Sequence, residues 1–317
     1  MCPVRALFFG TPTIAVPALS ALHEIAEIAG VICQPDRPAG RGMELRAPPV
    51  KLRAQELGIP VVQPEKIRTP EFAEWVRSAN ADVALVMAYG RILPPAVLAA
   101  PRRGCLNLHA SLLPRYRGAA PITWALVRGE TETGISLMQM EEGCDTGPVF
   151  SEHKIPISDD MTADDLAVEL AKLGEAVVRA DFVKAVEGAL AAEPQDSSQA
   201  TMAPILKKED GRIAWDQSSR AVHNHIRGMT SWPGAFTSAD GKLLKVLTSK
   251  VAQEPSGGGA PIAPPGTVIA AGKQGIEVAC GDGSLFLLRA QAEGRKPLQA
   301  ADLVAGRTLR EGLILGA

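Results

Sequence analysis

Eight residues, Ala81–Ala88 (ADVALVMA), constrain this chain more than any others. Apart from Asp82 the run is apolar, with no alternation. A strand with one wet face alternates apolar and polar side chains. A strand that does not alternate is covered on both faces, as in the middle of a parallel sheet. Parallel neighbours need crossover connections, so helices must flank this run in sequence.

The preceding residues supply them. Arg5–Phe9, Ile28–Cys33 and Val61–Gln63 read as strands, and Gly104–Leu108 follows as another. Ile14–Leu22, Val50–Leu57 and Pro70–Ala79 carry helical spacing. Thr133–Met140 and Val149–Ile157 read as two further strands around EEGCDTG, and Ala163–Leu190 as a long helical stretch. The βαβ rhythm predicts an α/β, Rossmann-like, mostly parallel sheet. Ligands of such sheets sit beyond the carboxyl ends of the strands. Ala88–Arg91 and Asn107–Ser111 therefore fall on the ligand edge.

At 317 residues the chain exceeds what one core usually holds, so two domains are expected. Ala191–Thr201 is polar and turn-rich. The expected division is 1–190 catalytic, 191–207 linker and 208–317 a smaller domain. Its short strands (Arg212–Trp215, Leu243–Leu247, Gly266–Ile269, Ile276–Ala279, Ser284–Leu288) fit a small β-barrel, with one helix near Ala221–Met229. The net charge of -2 gives no global pull toward nucleic acid. Its distribution does lean that way. Residues 1–207 carry 20 Lys and Arg against 25 Asp and Glu, whereas residues 208–317 carry 13 against 10. Five scattered cysteines without a CxxC pair offer no zinc or redox motif and suit a reducing, cytoplasmic setting. No metal is expected, and no run reaches membrane-spanning length.

Asn107 and His109 are spaced i, i+2 at a strand end, so an amide and an imidazole share one face. That pair suits acyl transfer: the amide steadies a developing oxyanion and the imidazole handles a proton. Asp145, in EEGCDTG, could orient or charge-stabilise the imidazole. The residues alone leave open a structural histidine and a simple turn aspartate. Arg115 and Arg117 in SLLPRYRGAAPI are either phosphate contacts or solvated loop charges. Gln34–Lys51 is long for a βα connection and carries Arg37, Arg41, Arg46 and Lys51, with Arg53 just beyond. This suits a basic loop that orders on RNA. Gly10-Thr11-Pro12 matches no phosphate-loop pattern.

These stretches, quoted as FFGTPTIAVPAL, VICQPDRPAGRG, VMAYGRILP, NLHASLLPRYRGAAPI, TGISLMQM and EEGCDTG, together resemble the methionyl-tRNA formyltransferases, within the folate-dependent formyltransferases. The resemblance continues through LKKEDGRIAW, IRGMTSWPGA and PGTVIAAGKQGIEVACGDG. It implies an OB-like C-terminal barrel and a catalytic set falling on Asn107, His109 and Asp145. It implies that 10-formyltetrahydrofolate lies along Met87, Ala88, Tyr89, Gly90, Ile92, Leu93, Ser111, Leu112, Leu113 and Pro114. Contacts to initiator methionyl-tRNA would come from Arg37, Arg41, Arg46, Arg115, Arg117, Lys207 and Lys208, Arg41 matching the family's key arginine. A monomer without membrane attachment is expected. The competing expectations are another folate formyl enzyme, acting on a sugar nucleotide or on glycinamide ribonucleotide or hydrolysing the donor, and a non-catalytic RNA-binding protein.

Overall fold

The structure is a computed structural model that describes residues 4–39, 44–253, 263–272, 274–305 and 309–316. The chain forms two compact units. The first comprises Met1–Pro121, Glu132–Pro156 and Ala167–Pro204; the second comprises Ile122–Thr131, Ile157–Leu166 and Ile205–Ala317.

In chain order the elements are β1 (Arg5–Gly10), α1 (Val16–Ile25), β2 (Glu27–Ile32), β3 (Arg37–Ala39), β4 (Glu44–Arg46), α2 (Pro49–Glu56), β5 (Val61–Val62), α3 (Pro70–Ser78), β6 (Val83–Met87), α4 (Pro95–Leu98), β7 (Cys105–His109), β8 (Arg117–Gly118), α5 (Pro121–Val127), β9 (Glu132–Gln139) and β10 (Val149–Pro156). Then come α6 (Ala163–Val177), a π-helical turn (Val178–Phe182), α7 (Val183–Glu187) and β11 (Met202–Ala203). Helix starts follow local chemistry. Proline opens α2, α3 and α4, where a missing N–H costs nothing, and the Thr69 side chain caps α3 through the Phe72 amide.

The first unit is built on a seven-stranded sheet of order β10-β9-β7-β6-β1-β2-β5. β9 runs antiparallel to both its neighbours, β7 and β10; the other four pairs are parallel. All five residues of β6 are buried, as its unbroken apolar run requires. Each fully buried aliphatic or aromatic side chain contributes roughly 1.5–3 kcal/mol against exposure. Strand order reverses between β1 and β6: the chain builds β2 and β5 on one side, then returns to lay β6 and β7 on the other. The ligand crevice therefore opens at the carboxyl ends of these strands, beyond Gly10 and Met87.

The structure departs from the expected linker. Residues 191–204 stay in the first unit. Glu193 bridges Val149, and β11 pairs in parallel with β8. This strap passes so close to β8 that a Cβ on Gly118 would lie 2.6 Å from the Ala203 carbonyl oxygen, and Gly118 has φ +122.

In the second unit, α8 (Ser219–Gly228) precedes β12 (Phe236–Ala239), β13 (Lys242–Gln253), β14 (Val268–Gly272), β15 (Gly275–Ala279), β16 (Ser284–Ala292), β17 (Leu298–Gln299) and α9 (Ala300–Ala305). The sheet is antiparallel, in the order β12-β13-β16-β15-β14, with β17 on β16. Val222, Ile226 and Met229 from the α8 region share its core with Leu244, Val246, Leu285 and Leu287. Among the described residues this is an open antiparallel path, a narrower statement than the expected barrel. The expected strand at Arg212–Trp215 makes only one bridge, Arg212 to Phe236. Trp215 instead turns inward and donates its indole N–H to Thr237 Oγ1 at 3.0 Å.

His223 on α8 is 3% exposed. Its Nε2 donates to the Asp159 carbonyl at 3.1 Å, and its Nδ1 lies 3.0 Å from Ser249 Oγ. Burial pushes the imidazole below its ordinary value; the Asp159 carbonyl and Asp160 oppose this, while Arg227 and Arg220 add to it. The neighbouring His225 is also lowered, chiefly by burial.

Two outcomes follow. Gly118→Ala should cost about 1–3 kcal/mol through its left-handed backbone and the Ala203 contact, lowering the thermal midpoint by several degrees. The unfolded chain binds a proton on His223 at higher pH than the folded one. The associated stability is therefore full above about pH 6.5 and is lost as pH falls. Denaturant unfolding monitored between pH 7.5 and 5.5 should show this loss, and His223→Gln should reduce it, leaving the part that belongs to His225.

Candidate active site

The site is assembled at the carboxyl end of β7. Asn107 pairs with Val86 of β6 and Met138 of β9, and His109 pairs with Ser136 of β9. Both are buried, at 9% and 5% exposure, and both project from one face of the strand. Among the described residues the Asn107 amide has no hydrogen-bond partner, which leaves its N–H groups for a ligand.

His109 Nε2 lies 2.9 Å from the Tyr116 carbonyl oxygen. A carbonyl only accepts, so Nε2 carries the proton and the neutral ring presents a lone pair at Nδ1. Nδ1 faces Asp145, whose Oδ2 is 3.7 Å away. The expected division of labour is thereby refined. The Tyr116 carbonyl fixes the tautomer and the ring, while Asp145 faces the nitrogen that can take a proton. Asp145 Oδ2 itself accepts from the Gly118 amide at 2.9 Å. Partial burial and the adjacent Asp145 carboxylate push the Cys144 thiol up, away from the nucleophilic thiolate.

The SLLP turn is held from below. Ser136 Oγ, fully buried, donates to the Ser111 carbonyl at 2.7 Å and accepts from the Leu113 amide at 3.1 Å. Leu112 and Pro114 remain half-exposed, while Ser111 and Leu113 are buried. Along 87–93 the exposure alternates: Ala88, Gly90 and Ile92 face solvent, and Met87, Tyr89 and Leu93 are buried. Tyr89 packs edge-on against Phe9, with ring centroids 5.3 Å apart. Its carbonyl accepts from Thr11 Oγ1 and Gln34 Nε2. The Met87, Tyr89 and Leu93 side chains are 1%, 2% and 3% exposed. Beside Ile92, 71% exposed, lies an open cavity of about 400 Å³ lined by Lys66, Ile67, Arg68, Thr69, Arg91 and Ile92.

The basic loop is a two-stranded ribbon, β3 against β4. Arg37 and Arg46 are exposed and directly opposite each other. Like charges in that register repel, a cost that a bound polyanion relieves. Lys51 is instead engaged with Asp36, at 2.8 Å, and Arg53 with Ser20 and Glu56. Arg41 lies outside the described residues. Lys207 and Lys208 are exposed at the start of the second unit's chain run. Arg115 is exposed beside the Tyr116 ring. Arg117 departs from the expectation of a phosphate contact. It is 6% exposed, and its guanidinium donates to Gln195 Oε1 at 3.0 and 2.8 Å and to Ser197 Oγ at 3.4 Å. The residues that sequence reasoning missed are Gln195, Ser136 and Thr11, together with the backbone groups of Tyr116 and Gly118. No residue-type signal marks a backbone donor or acceptor.

The comparisons agree with this geometry. Residues 4–180 match the formyl transferase family and residues 205–308 match its C-terminal domain. A methionyl-tRNA formyltransferase of Sorangium cellulosum is 67% identical over 99% of this chain and 100% of its own length. One of Geobacter metallireducens is 47% identical over the whole of both chains. An N-formyltransferase of Helicobacter canadensis, solved with folinic acid and dTDP-3-aminofucose, shares the fold. Its TM-score is 0.65 at 18% identity, over 91% of this chain and 99% of its own. Sequence match across both domains and the assembled amide, imidazole and carboxylate lead to one statement: the chain belongs to the formyl transferase family.

Proposed function

We propose that the protein transfers the formyl group of 10-formyltetrahydrofolate to the α-amino group of methionyl-initiator tRNA. The observation that carries the reading is His109 Nδ1 facing Asp145 Oδ2 at 3.7 Å beside Asn107, in a chain 67% identical to a methionyl-tRNA formyltransferase along its whole length.

The α-amine attacks the formyl carbon, forming a C–N bond. Asn107 donates a hydrogen bond to the formyl oxygen as negative charge develops there. His109 takes the amine proton at Nδ1, where the Asp145 carboxylate stabilises the resulting imidazolium. The bond from the formyl carbon to the folate nitrogen then breaks, and the proton returns to that nitrogen. The Tyr116 carbonyl keeps the Nε2 proton in place throughout.

The exposed Ala88, Gly90 and Ile92 and the half-exposed Leu112 and Pro114 offer a narrow apolar slot for a flat ring. The adjoining cavity pairs Ile67 and Ile92 with Lys66, Arg68 and Arg91. That lining suits an aromatic ring bearing carboxylates, the chemistry of the folate tail. Arg37 and Arg46 on the ribbon, Arg115, Lys207 and Lys208 supply exposed cations for tRNA phosphates. The reading includes a cytoplasmic monomer that needs no metal.

Single-turnover formylation with initiator and elongator methionyl-tRNA side by side, and with amino-sugar nucleotides as rival acceptors, tests the assignment. Initiator methionyl-tRNA should be formylated fastest; preference for an amino sugar would overturn the reading. Asn107→Ala, His109→Ala and Asp145→Ala should each lower turnover by roughly 10²–10³-fold with normal folding. Arg37→Ala and Arg46→Ala should raise KM for tRNA, leave folate binding unchanged and each reduce the salt slope by about 1.

A further inference from the structure

We infer that Gln195 is a positioning residue for the carboxylate of Asp145, so that the polar segment following α7 is part of the catalytic device. The inference rests on the catalytic reading of Asp145 above.

Asp145 has φ +52, in the left-handed region that side-chain-bearing residues occupy sparingly. Something must hold it there. Its loop is pinned at the base by β9. The Gln139 amide donates to the Pro148 carbonyl at 2.9 Å, and a Cβ on Gly147 would lie 2.0 Å from the Gln139 carbonyl oxygen. At its tip the loop is held by one side chain. Gln195 Nε2 donates to the Asp145 carbonyl at 2.9 Å and to the Gly147 carbonyl at 2.6 Å. The other end of that amide, Oε1, accepts from Arg117 Nε and from a second guanidinium nitrogen. Both N–H groups and the carbonyl oxygen of Gln195 are thus in use, which leaves the side chain a single orientation.

The same segment governs the partners of the imidazole. The Tyr116 amide donates to Thr201 Oγ1 at 2.9 Å, and the Arg117 amide to the Thr201 carbonyl at 2.9 Å. The Tyr116 carbonyl that fixes His109 and the Gly118 amide that holds Asp145 Oδ2 therefore lie just before and within β8, a stretch buttressed by residues 201–203. Gln195 adds the only described side-chain link from this segment to the Asp145 backbone itself. A shift of about 1 Å in a reacting group can cost on the order of 100-fold in rate. The 3.7 Å approach of Asp145 to Nδ1 is where such a shift would be felt.

Gln195→Ala removes the link entirely. Gln195→Glu keeps acceptor oxygens for the buried Arg117 and removes only the donors to the loop, so it answers the question if the alanine variant fails to fold. In the full-length protein, the folded variants should lose roughly 10- to 100-fold in kcat, with KM for folate and for tRNA within about twofold of the parent. In an Asp145→Ala background the same substitution should cost no further activity, because an effect exerted through Asp145 vanishes with it. A parent-like kcat in folded Gln195→Glu, or losses that multiply with Asp145→Ala, would overturn the inference. Asp145→Ala measured alone separates the two ideas: if that variant is itself fully active, the catalytic reading fails instead.

Discussion

The hydrogen bond from His109 Nε2 to the Tyr116 carbonyl is the interaction on which the site's chemistry rests. It costs one imidazole nitrogen and fixes the proton on it. The other nitrogen, Nδ1, is thereby left with its lone pair and is turned toward Asp145; in the proposed reaction it acts as base. Were Tyr116 O displaced, the ring could rotate or change tautomer, and the carboxylate would meet an N–H instead of a lone pair. The arrangement separates two tasks that one carboxylate often combines. A backbone carbonyl orients the imidazole, and the side-chain carboxylate addresses its charge.

That backbone carbonyl must itself be held, and the way it is held explains the oddest parts of the fold. Directly after Tyr116, Arg117–Gly118 form a two-residue strand away from the main sheet, stabilised by pairing with Met202–Ala203. The pairing is close enough to demand glycine at position 118, and the amide there accepts no compromise either, since it donates to Asp145. A buried guanidinium, Arg117, completes the assembly through Gln195. Burying an arginine is expensive unless its donors are met. Here Nε and one terminal nitrogen are met by the side chain that also ties down the Asp145 loop, with Ser197 Oγ as a further acceptor.

The two faces of the crevice divide labour in a similar way. The buried members of Met87–Leu93 anchor the loop, Tyr89 through its packing on Phe9 and its carbonyl through Thr11 and Gln34. Ala88, Gly90 and Ile92 are exposed and, in the proposed function, meet the folate. Alternation of this kind lets a loop be both rigid and available, which is what pre-organised binding requires.

Much of this was legible in the sequence. The unbroken apolar run at 81–88 demanded a central parallel strand, and the i, i+2 spacing of Asn107 and His109 demanded a shared face; both are local consequences of backbone geometry. The family motifs supplied Asp145 as the third member, which spacing alone left open. Only the tertiary structure decided the rest. Arg117, with the look of a loop cation, is buried, because Gln195, 78 residues on, meets its guanidinium. The polar stretch at 191–204 has the composition of a linker yet serves as a strap, because its hydrogen bonds run to backbone atoms of residues far away in the chain. Composition reports how readily a segment can be solvated. It carries no information about which distant carbonyl or amide will compete with water for its polar groups, and that competition is settled only when the chain is packed.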